Sequence, residues 1–408
     1  MRGTDLLNKM ELVDPAFVEE ADQILKHKKL VRVRLSALAA CLVLFIVIGL
    51  VLHGIPGVSS DTLDSPDLPV LTVSDLTLGM GFEGCTAHDI SELVNDNPWN
   101  EALELSALPV YKNPLTYDDF YQITGGYDFT AMNALLLDTA ASLGLDPNNL
   151  TLSDNSPDED TRNQIREKLE EAGDSVSETQ FAPTAAVLET DVVTITVDQE
   201  MTVTVSFDPA RELPKEYHFT HTSSYEELAA VSDWLKTSYS DFIGFMQPRS
   251  NLSGGDYDIY GNQHYSVGFF DNNGTVTEQI VHYNFNQVQF YCDDNGDLFM
   301  ARIFKPDLSR KIGDYPIISP DKAQELLAES HYLTSVPYEF PGEAYVQKVE
   351  LVYRTSALET CYMPYYRFYV ELPEETQENG LTTYGAYYVP AVESRYISNM
   401  PTWDGSFN

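Results

Sequence analysis

From Thr190 to Asp208 the chain reads TDVVTITVDQEMTVTVSFD, with apolar side chains at every second position over 193–197 and again over 201–207. Period-two alternation predicts half-buried strands at Val187–Val197 and Glu200–Phe207, joined by a turn at Asp198-Gln199. Apolar spacing of three and four predicts helices over Phe129–Leu143 and Tyr225–Phe245, and a polar helix over Asp160–Ala172. Further strands are expected at Tyr257–Phe270, Val276–Phe285, Gln287–Cys292 and Leu298–Phe304. Asn272-Asn273-Gly274 and Asp294-Asn295-Gly296 supply the positive-φ residues of tight hairpins. A last helix starts at Ser319 as N-cap with Pro320 at its first position, and buries Ala323, Leu326 and Leu327. Strands at Tyr345–Thr355, Tyr362–Leu372 and Thr382–Val389 follow it.

The order of elements is helix, then antiparallel strands, three times over, in units 113–215, 216–313 and 314–408. Each helix is expected to cover one face of a curved antiparallel sheet, which is an α+β arrangement. Ahead of these units, residues 54–78 are rich in Gly, Pro, Ser and Asp and read as a linker. The remainder of 54–112 ends in an extended segment, with Phe82, Trp99 and Val110 expected to pack on the body that follows.

One stretch has no polar alternation at all. Leu35–Leu52 is apolar or small throughout except for Ser36. As a helix it would reach roughly 27 Å, close to the hydrocarbon thickness of a bilayer. The expectation is an uncleaved transmembrane helix over 35–53. Leu38-Ala39-Ala40-Cys41 has the form of a lipoprotein cleavage box, but the most apolar residues follow the cysteine, and cleavage there would leave them on the mature chain. Lys26, Lys28, Lys29, Arg32 and Arg34 flank the run on one side only. Residues 1–34 are therefore expected in the cytoplasm and the rest outside, in a single-pass cell-membrane protein. The tail carries its own pattern. Leu6, Leu7 and Met10 mark one helical stretch, and Asp14-Pro15 starts another with Phe17, Val18, Ala21, Ile24 and Leu25 on one face. A tail this short cannot bury that stripe, so these eight residues are the candidate partner-binding set, against the membrane or a cytoplasmic protein.

Charge changes the picture of the outer part. The formal net charge is −39, and of 24 Lys+Arg and 63 Asp+Glu, seven and six lie in residues 1–34. The acid excess thus belongs to the outer part, which excludes nucleic acid and anionic lipid as partners there. Cys85, Cys292 and Cys361 allow at most one disulfide outside, so packing must hold the fold.

The segments ISPDKAQELLAE (318–329), VQKVELVY (346–353), YYRFYVEL (365–372) and YGAYYVPAV (384–392) resemble a PepSY-type domain. The resemblance implies a helix packed on three strands, in a family found in extracytoplasmic regulators, inhibitory pro-segments and membrane-anchored accessory proteins of a histidine kinase. LLNKMELVDPAFVEEADQ (6–23) with LSALAACLVL (35–44) resembles the leader of single-pass membrane proteins of gut Firmicutes, some of them anti-sigma-factor-like. The resemblance implies a cytoplasmic regulator, a sigma factor or a kinase, as partner. The tail departs from the zinc-binding anti-sigma pattern, since it has His27 but no cysteine.

Candidate chemistry has a plainer reading in each case. His218 and His221 lie three apart in an extended segment, where they face opposite sides and cannot share an ion. Asp293, Asp294, Asn295 and Asp297 lack the frame of a calcium loop and suit a hairpin turn. The run SDNSPDED (153–160) suits a solvated loop that caps the next helix, with weak Ca²⁺ binding by the acidic surface as its only cofactor reading. Cys85 and His88 in CTAH have no placed third partner. The tyrosine-rich stretches 257–291 and 362–388 suit cross-strand packing better than a sugar- or peptide-binding face. No motif for a nucleophile, phosphate loop or zinc hydrolase occurs. The sequence therefore points away from an enzyme and toward a membrane-anchored sensory or regulatory protein with an unknown extracellular ligand. The alternative is a passive surface module for glycan, peptidoglycan or peptide, with the span as anchor alone.

Overall fold

The computed structural model describes residues 68–405 except 75–85, 90, 118–122, 147–149, 174–180, 259, 335 and 377–379. The expected span 35–53 and the candidate residues Leu6, Leu7, Met10, Phe17, Val18, Ala21, Ile24 and Leu25 lie outside the described residues, as do Phe82 and Cys85. Among the described residues, no helix is long and apolar enough to cross a membrane.

The elements run β1 (Thr86–His88), β2 (Ala107–Lys112), β3 (Thr116–Tyr117), β4 (Ile123–Gly125), α1 (Phe129–Ser142), β5 (Leu152–Asp154) and α2 (Glu159–Ala172). Then come β6 (Ala185–Glu189), β7 (Val193–Asp198), β8 (Thr202–Arg211), α3 (Tyr225–Ser238), the single turn α4 (Ser240–Ile243), β9 (Pro248–Tyr257) and β10 (Gln263–Asp271). The remainder is α5 (Val276–Phe285), β11 (Gln287–Cys292), β12 (Leu298–Phe304), β13 (Lys311–Pro316), α6 (Pro320–Ala328), β14 (Leu333–Thr334), β15 (Val346–Tyr353), β16 (Cys361–Tyr362), β17 (Pro364–Thr376) and β18 (Thr382–Pro390). The class is α+β with antiparallel sheets, as the pattern predicts.

The expected division into three sheets is corrected. One sheet runs through all three units in the order β15-β17-β18-β1-β9-β10-β11-β12-β8-β7-β6-β5, with β14 beside β18. The short β1 joins the C-terminal strands to the middle ones, pairing β18 on one side and β9 on the other. β12 returns to pair with β8, so the first and second units share one ladder. The segment before residue 113 joins the C-terminal region. β2 lies between β13 and β16 of the C-terminal region, in a second sheet. Residues 71–73 dock on 396–399: Val73 N donates to Asn399 Oδ1 at 2.8 Å and Ser398 N to the Leu71 carbonyl at 2.9 Å.

Packing follows the alternation. Val193, Ile195 and Val197 on β7 and Val203, Val205 and Phe207 on β8 turn inward against Met132 and Leu136 of α1. Leu228, Val231 and Leu235 of α3 extend the same core over β9 to β12. A second core puts Ile280 and Phe285 of α5, with Ala323 and Leu327 of α6, against Leu351, Phe368 and Tyr387. Trp99 joins it edge-on to Tyr366 at 5.7 Å, and Val110 belongs to a third cluster with Tyr315 and Tyr365, so both pack on the body as expected. Ala323, Leu326 and Leu327 are the buried face of α6, capped by Ser319.

Three local expectations are corrected. Val276–Phe285 is a helix, not a strand. Thr275 and Glu278 form a capping box that satisfies its first amides, and Gly274, at φ +92°, serves that cap: a Cβ there would lie 2.5 Å from the Glu278 carboxylate. The expected strand Val187–Val197 is two strands, because Thr190 N donates to the Val193 carbonyl at 2.9 Å and Val193 N to Thr190 Oγ1 at 3.0 Å, closing a turn. The expected strand Tyr257–Phe270 breaks at Asp258, whose Oδ1 takes Tyr260 N at 2.8 Å and Asn262 N at 2.9 Å. The strand before that break, β9, is polar and carries two glycines, and its sequence shows no alternation.

A candidate ligand cleft between two polar sheet faces

The strands β8, β11 and β12 bury one face and carry mostly polar residues on the other, whereas β15, β17 and β18 are largely buried on both faces. On β8, β11 and β12 the outward set includes Thr202, Thr204, Gln287, Gln289 and Arg302. On β15, β17 and β18 the face away from the second core carries Lys348, Arg367 and Tyr388, with Glu350 buried among them. Part of each set faces a single cleft of about 740 Å³, with Thr202, Gln287, Gln289 and Arg302 on one wall and Val352, Arg354, Arg367 and Tyr388 on the other. Tyr283 and Asn284 at the end of α5 line the space as well. Asn284 fixes α5 to the edge strand, its Oδ1 accepting from Tyr353 N at 2.9 Å and its Nδ2 donating to the Ile280 carbonyl at 2.8 Å.

Two buried glutamates underlie the second wall. Glu350 takes Lys348 Nζ at 2.8 Å, Arg367 Nη2 at 2.6 Å and Asn95 Nδ2 at 2.6 Å. Burial by itself pushes its carboxyl up. The two cations and their hydrogen bonds outweigh it and hold the group down at about 2. Glu359 is as deeply buried but has one cation, with Arg354 Nε 3.2 Å from its Oε1. That N–H is not aimed at the oxygen, and neither Glu359 Oε1 nor Arg354 Nη1 makes a hydrogen bond among the described residues. Burial therefore dominates Arg354 and Ser74, and the carboxyl is pushed up to about 7. The Arg354 guanidinium lies 5.7 Å from the Tyr365 ring and 5.6 Å from the Tyr388 ring, fixed between two aromatics.

The opposite wall is less committed. Arg302 stands across from Gln289 on one side and Thr204 on the other in the strand register. Its guanidinium makes no hydrogen bond or ion pair among the described residues. Gln289 Oε1 accepts from the Tyr291 hydroxyl at 2.6 Å, which assigns its NH₂ as the outward donor. Glu200, on the turn before β8, has its carboxyl raised by burial and by Asp198, with Arg302 opposing.

Other candidates from the sequence lie elsewhere. His218 Nε2 meets the Leu213 carbonyl at 2.8 Å and lies 3.4 Å from Asp297 Oδ1. His221 packs on His264, ring centroids 5.5 Å apart, in a second cleft of about 470 Å³ that Cys292 also lines. Asp293 Oδ1 accepts from Asn295 N and Asp297 N, both at 2.9 Å, so this acidic run builds its hairpin turn. Asp158 caps α2 through Thr161 N at 2.8 Å. Among the described residues, no group of three His, Cys, Asp or Glu is placed to hold a metal ion. Cys292 and Cys361 are free thiols, each pushed up to about 11 by burial. Tyr365, Tyr366 and Tyr387 are buried in the packing of the C-terminal strands, as the spacing implies.

The cleft arginines carry no motif. Lys348, Glu350 and Arg367 sit at the polar positions of strands, where ordinary solvent-facing residues also sit. No protein-family model matches the chain, and no curated protein matches it.

Proposed function

We propose that this protein is a membrane-anchored sensory or regulatory protein whose outer domain takes a ligand in the cleft and whose N-terminal helix holds a cytoplasmic partner, a sigma factor or a kinase. The observation that carries the reading is the cleft itself. Residues of β8, β11 and β12 and of the C-terminal strands line one space of about 740 Å³, mixed polar and apolar, which suits a small-molecule or short-peptide ligand. An apolar run of membrane length, with basic residues on one side only, supports the anchor and its orientation. The helix α6 with β15, β17 and β18 serves as a PepSY-like unit in this reading, forming one wall of the cleft.

The test is a crosslinked pull-down of the full-length chain from native membranes beside a Phe17→Asp/Ile24→Asp variant. The proposal expects a cytoplasmic protein recovered with the parent chain and lost with the variant. Equal recovery from both overturns the sensory reading and leaves the span as an anchor alone.

A further inference from the structure

We infer that the ligand of this cleft is a carboxylate-bearing molecule of short-peptide size, seated on Arg302 with the Gln289 amide beside it; the inference rests on the cleft being the sensing site. Only 17 of the 24 Lys+Arg lie beyond residue 34, against 57 of the 63 Asp+Glu, yet three arginines line this one cleft. Such a gathering of cations in an acidic chain makes the cleft a local exception to the repulsion that the rest of the surface exerts on anions.

The three arginines differ in what they have left to give. Arg367 is committed to Glu350. Arg354 is held between Tyr365 and Tyr388 and only partly neutralised, because Glu359 faces it without an aligned hydrogen bond. It acts as a fixed positive wall. Among the described residues the Arg302 guanidinium has no hydrogen-bond partner, and its donor fork matches a carboxylate in two parallel hydrogen bonds. Gln289 adds an N–H donor at the adjacent register position.

The same geometry selects among anions. Glu200 lines the cleft near Arg302, and the whole chain carries −39. A singly charged carboxylate meets less repulsion there than a phosphate dianion. Glu200 also offers an acceptor to the ammonium end of the same molecule, so a zwitterionic peptide satisfies both groups. The remaining lining mixes amide and hydroxyl groups (Asn284, Gln287, Thr334) with aromatic and aliphatic side chains (Tyr388, Val352, Leu358), which suits both the groups and the side chains of a peptide.

The experiment uses the full-length protein in detergent micelles, followed by thermal unfolding and equilibrium binding. The probes are Ala-Ala-Ala with a free carboxylate, the same peptide as its C-terminal amide, and inorganic phosphate. The expected result is that the free acid binds and raises the Tm, while the amide and phosphate do not. Arg302→Gln should weaken binding of the acid by about tenfold or more. Its unliganded Tm should match the parent's, because Arg302 is solvent-exposed. Equal binding of acid and amide, binding of phosphate alone, no binding of the acid, or an unaffected Arg302→Gln variant would each overturn the inference. Arginine-dependent binding that leaves recovery of the tail's partner unchanged sustains the ligand class and sinks the sensory reading instead.

Discussion

Glu350 and Glu359 have 5% and 2% of their side chains exposed, and each faces an arginine from a neighbouring part of the same C-terminal region. Their carboxyls nonetheless move in opposite directions, to about 2 and about 7. Burial is the largest influence on both and acts the same way on both. What differs is the number and aim of the donors. Glu350 has three within 2.8 Å, from Lys348, Arg367 and Asn95. Glu359 has one guanidinium, at 3.2 Å and off line. A buried ion pair is set by how completely its hydrogen bonds are made, and proximity of opposite charge does not suffice. Both pairs border the cleft through their arginines, and it is the less complete one that leaves Arg354 with donors to offer.

The largest effect should come from removing a partner of the complete site. Arg367→Met leaves Glu350 with less than its full set of donors and should destabilise the protein by about 3–5 kcal/mol in a denaturant titration. If the loss were under 1 kcal/mol, Arg367 would not be what holds Glu350 ionised. Next, Glu350→Gln and Glu359→Gln should separate at neutral pH. The first should cost about 2–3 kcal/mol by leaving two cations unneutralised, while the second should cost under about 1 kcal/mol. Equal costs would dissolve the contrast.

The pH dependence separates the two sites by sign. Glu359's folded value lies above that of an unfolded carboxyl, so between about 7 and the unfolded carboxyl range near 4.5 the folded state binds the extra proton. Its contribution to stability therefore grows as pH falls through that window. Glu350 behaves in reverse: its contribution is present above the unfolded carboxyl range and is lost as pH falls toward about 2. Stability of the parent relative to Glu359→Gln should thus rise on going from pH 8 to pH 5, measured by denaturation at each pH. A flat difference would show that Glu359 is ionised throughout. The smallest effect concerns the helix over this region. Thr275→Ala removes the cap of α5, which carries Tyr283 and Asn284 into the cleft, and should cost about 1 kcal/mol. A cost near zero would mean that packing of Ile280 and Phe285 alone sets that helix.

Much of the secondary structure was legible in the chain. The β7–β8 hairpin, α1, α6 with its Ser319 cap and the strands of 346–390 follow from local periodicity and capping, which act between residues a few positions apart. Helix α5 is masked in the sequence because Asn272-Asn273-Gly274 resembles a hairpin turn. The Thr275-x-x-Glu278 capping box is the deciding signal, and it too is local. Strand β9 gave no such signal, since a polar segment with two glycines becomes a strand only when β10 and β1 supply its partners.

The sequence by itself determined which face of the alternating strands would be buried, where most helices start, and that a strongly acidic part follows an apolar run. Tertiary structure alone decided that the three helix-and-strand units share one sheet through β1 and the β8–β12 pairing. It alone also brought Arg302 within one cleft of Arg354 and Arg367. The reason is physical: alternation specifies in and out along a strand, but a polar residue turned toward solvent and one turned toward another polar face look the same until distant strands fold to meet.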